Sequence, residues 1–100
     1  MENFNKNNIK HKITDIVETK IINNDFYNDN SISMFDKDII QYADFDSLAY
    51  VEMFMELEKT FDISLDNDDI VNFLDNERNI TINKITNFVF EYGKRLWSNI

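Results

Sequence analysis

The sequence predicts an all-α domain, a four-helix bundle with a long first loop and a short third helix, and three observations carry that expectation. Apolar residues recur at three- and four-residue intervals in several segments, while few segments alternate apolar and polar as a half-buried strand does. Proline is absent and glycine occurs once, at Gly93, which leaves little of the turn chemistry that tight hairpins need. With 43% hydrophobic and 14% aromatic residues, the 100 positions can bury one modest core and read as a single domain spanning 1–100, with 1–8 and 94–100 as flexible tails.

Taken in order, Ile9, Ile13, Ile16, Val17 and Ile21 share one face of a first helix, and Asn8 is its candidate cap. Asn23-Asn24-Asp25 ends that pattern. Residues 23–45 then form a long connection with a short helical turn around 36–41. Its apolar members Phe26, Ile32, Met34, Phe35, Ile39, Ile40 and Tyr42 are expected to pack across the core, since a small domain rarely carries so long a loop without a packing or functional reason. A second helix runs from Asp46 to Thr60. A third starts at Asp66, with Asp69 three positions on in a capping-box-like arrangement and Ile70, Phe73 and Leu74 at helical spacing. Thr81 caps a fourth, carrying Ile82, Ile85, Val89, Tyr92 and Leu96.

Composition removes several classes of chemistry. There is no Cys, so thiol nucleophiles, disulfides and zinc–thiolate sites are excluded, and with His11 as the single histidine so is a multi-histidine metal site. Asp66-Asn67-Asp68-Asp69 lacks the glycine and the final glutamate of a calcium loop, and Met34, Met53 and Met55 read as packing or contact residues, so no metal is expected. No apolar run approaches the roughly 20 residues that span a bilayer, and the opening MENFNKNNIKHK has no apolar signal core. The expectation is a soluble, cytoplasmic, monomeric protein. Its net charge of −9 is concentrated: residues 25–77 hold fifteen acids against two lysines. Such a surface repels nucleic acid and anionic membrane and attracts partners with basic patches. Lys94 and Arg95 are expected to complement the carbonyl end of the last helix, and Trp97 to cover one end of the bundle.

The second helix has two apolar faces. Tyr50, Met53, Phe54, Leu57 and Phe61 fall within about 100° of one another on a helical wheel and form the core stripe. Leu48, Val51 and Met55 lie opposite, among Glu52, Glu56, Glu58 and Lys59, a pattern that suits a docking face. Ser47 stands where the helix starts. It can cap the helix, a role shared with or conceded to Asp46. It is poorly equipped as a nucleophile, because no base stands near it in sequence and the Gly-x-Ser-x-Gly elbow is missing. A third role is covalent attachment, where a phosphodiester would lie at the positive end of the helix.

These residues resemble the acyl carrier protein family, the phosphopantetheine-dependent carriers: Asp46-Ser47-Leu48, then Val51-Glu52-Met53, Leu57-Glu58, Phe61 and Ile63, and less tightly Asp66-Asn67-Asp68-Asp69 and Thr81-Ile82. The likeness covers about residues 9–92 and is most specific over 44–66. It implies a protein that is not itself an enzyme. Ser47 would carry a 4′-phosphopantetheine arm derived from coenzyme A, whose thiol holds acyl intermediates of fatty acid, polyketide or another specialised biosynthesis as thioesters. The resemblance further implies a phosphopantetheinyl transferase as partner, along with acyl-loading and acyl-processing enzymes that present basic docking surfaces. Asp46, Leu48, Val51, Glu52, Met55 and Glu56 would be the partner-binding residues. An aminoacyl or peptidyl carrier, and an unmodified helical interaction subunit, are the alternatives. The chain departs from the family at Asp44, where glycine is common, at Lys59, where an acid is common, at an apparent insertion within 71–80, and in its C-terminal extension KRLWSNI. Those departures make a dedicated carrier of a specialised pathway at least as good a match as one of housekeeping fatty acid synthesis.

Overall fold

The computed structural model describes residues 3–96, and they are mostly helical. Helix α1 (Lys6–Glu18) buries Ile9, Ile13 and Val17 completely, as their spacing requires. Its cap is Asn5 and not Asn8: Asn5 has extended backbone, and its side-chain oxygen accepts from the Asn8 amide at 2.9 Å. Asn8 sits inside the first turn, where its own amide group donates to the Asn3 carbonyl at 3.0 Å. Ile21 lies past the end of α1 and forms an isolated antiparallel bridge with Ala43.

That bridge closes the base of the long connection. The amides of Ile22 and Asn23 donate to the Tyr42 carbonyl, and the Asp44 amide to the Lys20 carbonyl, so the chain leaving α1 and the chain entering the next long helix are tied together. Between them lie α2 (Asp25–Asn28), a 3-10 turn (Met34–Asp36) and α3 (Ile39–Tyr42). Phe26 and Ile39 are fully buried and Met34, Phe35 and Tyr42 partly so; Ile32 and Ile40, expected in the core, are exposed. A buried lysine organises this segment. Lys37 is 1% exposed, and its ammonium donates to the carbonyls of Asp25 (2.7 Å), Phe26 (3.0 Å) and Asp29 (2.5 Å). The three acceptors match the three ammonium protons, which is the condition for keeping this charge out of water.

Helix α4 (Ser47–Phe61) buries the expected stripe Tyr50, Met53, Phe54, Leu57 and Phe61, along with Ala49. It stops at Asp62, whose backbone is left-handed (φ 55°, ψ 52°), a conformation that Asp tolerates better than most side chains. The next two residues form β1 (Ile63–Ser64), paired antiparallel with β2 (Lys94–Arg95). Lys94 and Arg95, read from the sequence as a tail at the carbonyl end of the last helix, therefore belong to a small ribbon. Two-residue strands are too short to show alternation, so nothing in the pattern announced it.

Helix α5 (Asn67–Asn76) is capped by Asp66, whose carboxylate accepts from the Asp68 amide at 2.8 Å. The reciprocal bond from Asp69 is absent among the described hydrogen bonds, so Asp66 acts alone. No residue of α5 is fully buried; it rests on the core through Ile70, Phe73 and Leu74. Helix α6 (Ile82–Tyr92) has the expected cap, with Thr81 Oγ accepting from the Lys84 amide at 3.1 Å. It buries Ile82, Ile85, Phe88 and Val89 and packs against α1 more extensively than against any other element. Of the residues assigned to its apolar face, Tyr92 and Leu96 are exposed, and Leu96 lies beyond β2. Trp97 is outside the described residues. Gly93 follows α6 at a crowded junction, where a Cβ would stand 2.7 Å from the Val89 carbonyl oxygen, 2.9 Å from Ile63 Cδ1 and 3.2 Å from Phe4 Cζ. Among the described residues no helix is long and apolar enough to cross a membrane.

Candidate functional site

Asp46 and Ser47 share the first turn of α4 and divide its tasks. Asp46 has extended backbone (φ −97°, ψ −176°) and its carboxylate accepts from the Ala49 amide at 2.9 Å, so it takes the capping role. Ser47 is the first helical residue and is exposed; its hydroxyl makes no hydrogen bond to any described residue. The Tyr50 amide returns to the Asp46 carbonyl at 3.1 Å. The amides of Ser47 and Leu48 have no described acceptor and lie at the positive end of a 15-residue helix. The loop-closing bridge at Ile21 and Ala43 fixes the chain just before this turn.

Away from the core, Leu48 (64% exposed), Val51 (46%) and Met55 (62%) form an uncovered apolar stripe running down α4 from Ser47. The acids around it are not equivalent. Glu52 is exposed and makes no ion pair with a described residue. Glu56 lies 3.5 Å from the Lys12 ammonium of α1, so part of its charge is already answered within the molecule. Glu58 turns inward and accepts from the Leu65 amide at 2.8 Å, bracing the turn after α4. The structure thus brings Asp46, Ser47, Leu48, Val51, Glu52, Met55 and Glu56 onto one continuous surface.

One neighbour of Ser47, placed in the core stripe from the sequence, has a feature that the sequence did not show. Tyr50, one turn along, is 4% exposed and packs its ring edge-on against Phe45, with centroids 4.7 Å apart. Its hydroxyl is buried without a hydrogen-bond partner. Burial, and secondarily the Asp38 carboxylate, pushes the phenol up to about 12. The sequence marks Tyr50 as core, but the position of its hydroxyl depends on Phe45 and Asp38, which belong to the preceding loop. A second feature lies elsewhere: α5 and α6 border a groove of about 440 Å³ floored by aromatic rings. Phe73 and Tyr92 were assigned to helix faces separately, and Phe88 follows Ile85 at helical spacing, yet only the packing of α5 on α6 puts the three together. Among the described residues no cluster of three or more His, Asp or Glu side chains could hold a metal ion.

No protein-family model matches the chain, and neither a curated protein nor a solved structure matches it.

Proposed function

We propose that this chain is a carrier protein of the acyl carrier type, with a 4′-phosphopantetheine arm on Ser47. On this reading α1, α4, α5 and α6 are the four helices of the carrier bundle, residues 19–46 its long first loop, and the cytoplasm its place of work. One observation supports the reading most: Ser47 sits at the mouth of α4, exposed and with an unengaged hydroxyl, because Asp46 does the capping. A serine kept only for the helix end would use its oxygen there.

In the modification, Ser47 Oγ attacks the pantetheine-side phosphorus of coenzyme A. A Ser–O–P bond forms, the pyrophosphate P–O bond breaks, 3′-phospho-AMP leaves, and the hydroxyl proton passes to a base of the transferase. The amides of Ser47 and Leu48, at the positive end of α4, would be the groups available to a phosphodiester there. When bound, such an arm would supply the thiol that the sequence lacks, the group needed to hold acyl chains as thioesters. Leu48, Val51 and Met55 would dock the transferase and the acyl-handling enzymes, with Asp46, Glu52 and Glu56 facing their basic groups.

The test is incubation with coenzyme A, magnesium and a broad-specificity phosphopantetheinyl transferase, read by intact mass. One pantetheine adduct on the wild type and none on Ser47→Ala is the expected result. If neither this transferase nor that of the native host produces an adduct while a control carrier is modified, the chain is an unmodified helical interaction subunit instead.

A further inference from the structure

The groove between α5 and α6 is built from two kinds of chemistry. Its floor is a column of rings: Phe73 stacks on Phe88 with centroids 4.6 Å apart, and Phe88 on Tyr92 at 5.0 Å, while Phe54 meets Phe73 and Phe88 edge-on from the core. Each stacked contact covers a ring face. Tyr92 ends the column and is 47% exposed, which leaves its outer face bare of any other described ring. Its rim is charged. Glu77 and Lys84 answer each other at 3.2 Å, and the Lys84 ammonium also donates to the Asn79 carbonyl at 2.9 Å. Asp69 on α5 and Glu91 on α6 have no ion-pair partner among the described residues, so the groove carries two unanswered negative charges beside an aromatic surface.

An aromatic face is itself negative at its centre, and with the two carboxylates it favours the same occupant. An anion is repelled by both. A plain hydrocarbon chain would cover the floor but leave the two carboxylates without a partner. The volume of about 440 Å³ falls in the range of small-ligand pockets, roughly 300–1,000 Å³. Since α5 has no fully buried residue, it can adjust to a guest without dismantling the core.

We propose that the α5–α6 groove binds a small organic cation, an ammonium borne on an apolar or aromatic body, with Asp69 and Glu91 holding the charge and the Tyr92 face the body. The site is separate from the first turn of α4 and shares no residue with it, so its fate does not depend on the modification of Ser47.

The experiment titrates the isotope-labelled full chain with phenethylammonium and, separately, with 2-phenylethanol, a neutral molecule of the same body, and follows backbone amide shifts. Phenethylammonium should give saturable shifts centred on Phe73, Phe88 and Tyr92, and the alcohol should bind about tenfold more weakly or worse. Asp69→Asn with Glu91→Gln should weaken phenethylammonium by a similar factor while leaving the rest of the spectrum in place, since both side chains are outside the core. Tyr92→Leu, which keeps an apolar side chain and removes the ring, should weaken it too. The proposal is overturned if millimolar phenethylammonium gives no saturable shifts, if shifts cluster away from the groove, if the alcohol binds as tightly, or if the double variant binds like the wild type.

Discussion

Tyr50 spends stability on a hydroxyl that finds no partner. A buried hydroxyl stripped of water costs about 1–3 kcal/mol, whereas an apolar group of the same shape costs nothing of the kind. Tyr50→Phe should therefore leave stability unchanged or raise it by about 1 kcal/mol in urea melts. The pH dependence has a definite sign. In the unfolded chain the phenol titrates near its ordinary value of 10.0, and in the fold near 12, so between those values the unfolded state has already lost the proton that the native state keeps. The stability tied to the protonated phenol is complete below about pH 10 and is lost as pH rises toward about 12. Melts of wild type and Tyr50→Phe across that range should diverge as the wild type weakens; parallel curves would show that the phenol is not desolvated. Lys37 is the contrasting case, a full charge buried with every proton assigned to a carbonyl.

At the level of elements, α4 separates stability from contact by face. Phe54→Ala and Leu57→Ala, on the buried stripe, should each cost about 2–5 kcal/mol. Val51→Ala and Met55→Ala, on the exposed stripe, should stay within about 0.5 kcal/mol of wild type. Urea denaturation decides, and equal losses from both pairs would mean that the outer stripe is covered. This division was legible in the sequence because fifteen residues make four helical turns, enough for two stripes to separate on a wheel. The Thr81 and Asp66 caps were legible from position, Thr81 directly before an apolar pattern and Asp66 at the head of the polar run that precedes Ile70, Phe73 and Leu74. The start of α1 was not, because Asn3, Asn5, Asn7 and Asn8 all compete to cap it and backbone geometry chose Asn5. Nor was the inside of the long connection. Lys37 looks like any surface lysine until the chain folds back so that three carbonyls converge on it, and Ile32 and Ile40 look like core until the path of the connection leaves them at the surface. The first-turn serine and the outward apolar stripe were local features; the Tyr50 hydroxyl and the α5–α6 groove come from distant segments meeting.

Over the whole molecule the charge is lopsided, with net −13 on residues 25–77 and net positive charge before and after. On the carrier reading that field should steer encounter with a basic transferase. Association should slow as salt is raised, because the Debye length shrinks from about 10 Å at 0.1 M to about 3 Å at 1 M. Glu52→Lys should slow association more than it speeds dissociation, and Met55→Ala should act mainly on dissociation. Glu56→Lys carries a second effect, since it places a lysine against Lys12 and removes a tie between α4 and α1. Stopped-flow rates across a salt series are the measurement, and rates indifferent to salt and to Glu52→Lys would restrict the acidic surface to keeping the protein dissolved.

Gly93 is the one glycine, and its backbone is ordinary; what it lacks is room. The N-terminal Phe4, the last turn of α6 and the ribbon residue Ile63 all close on the same hydrogen. Two of those three neighbours are within 3.0 Å of where a Cβ would be, and the nearer is a main-chain oxygen with nowhere to rotate. In a lineage drifting under selection for this fold, position 93 therefore takes a side chain only if its neighbours give way. Descendants could revise Ser47 or the outward face of α4 and acquire new partners while keeping the same architecture, but a change at 93 must be accompanied by a shift where three separate stretches of chain converge.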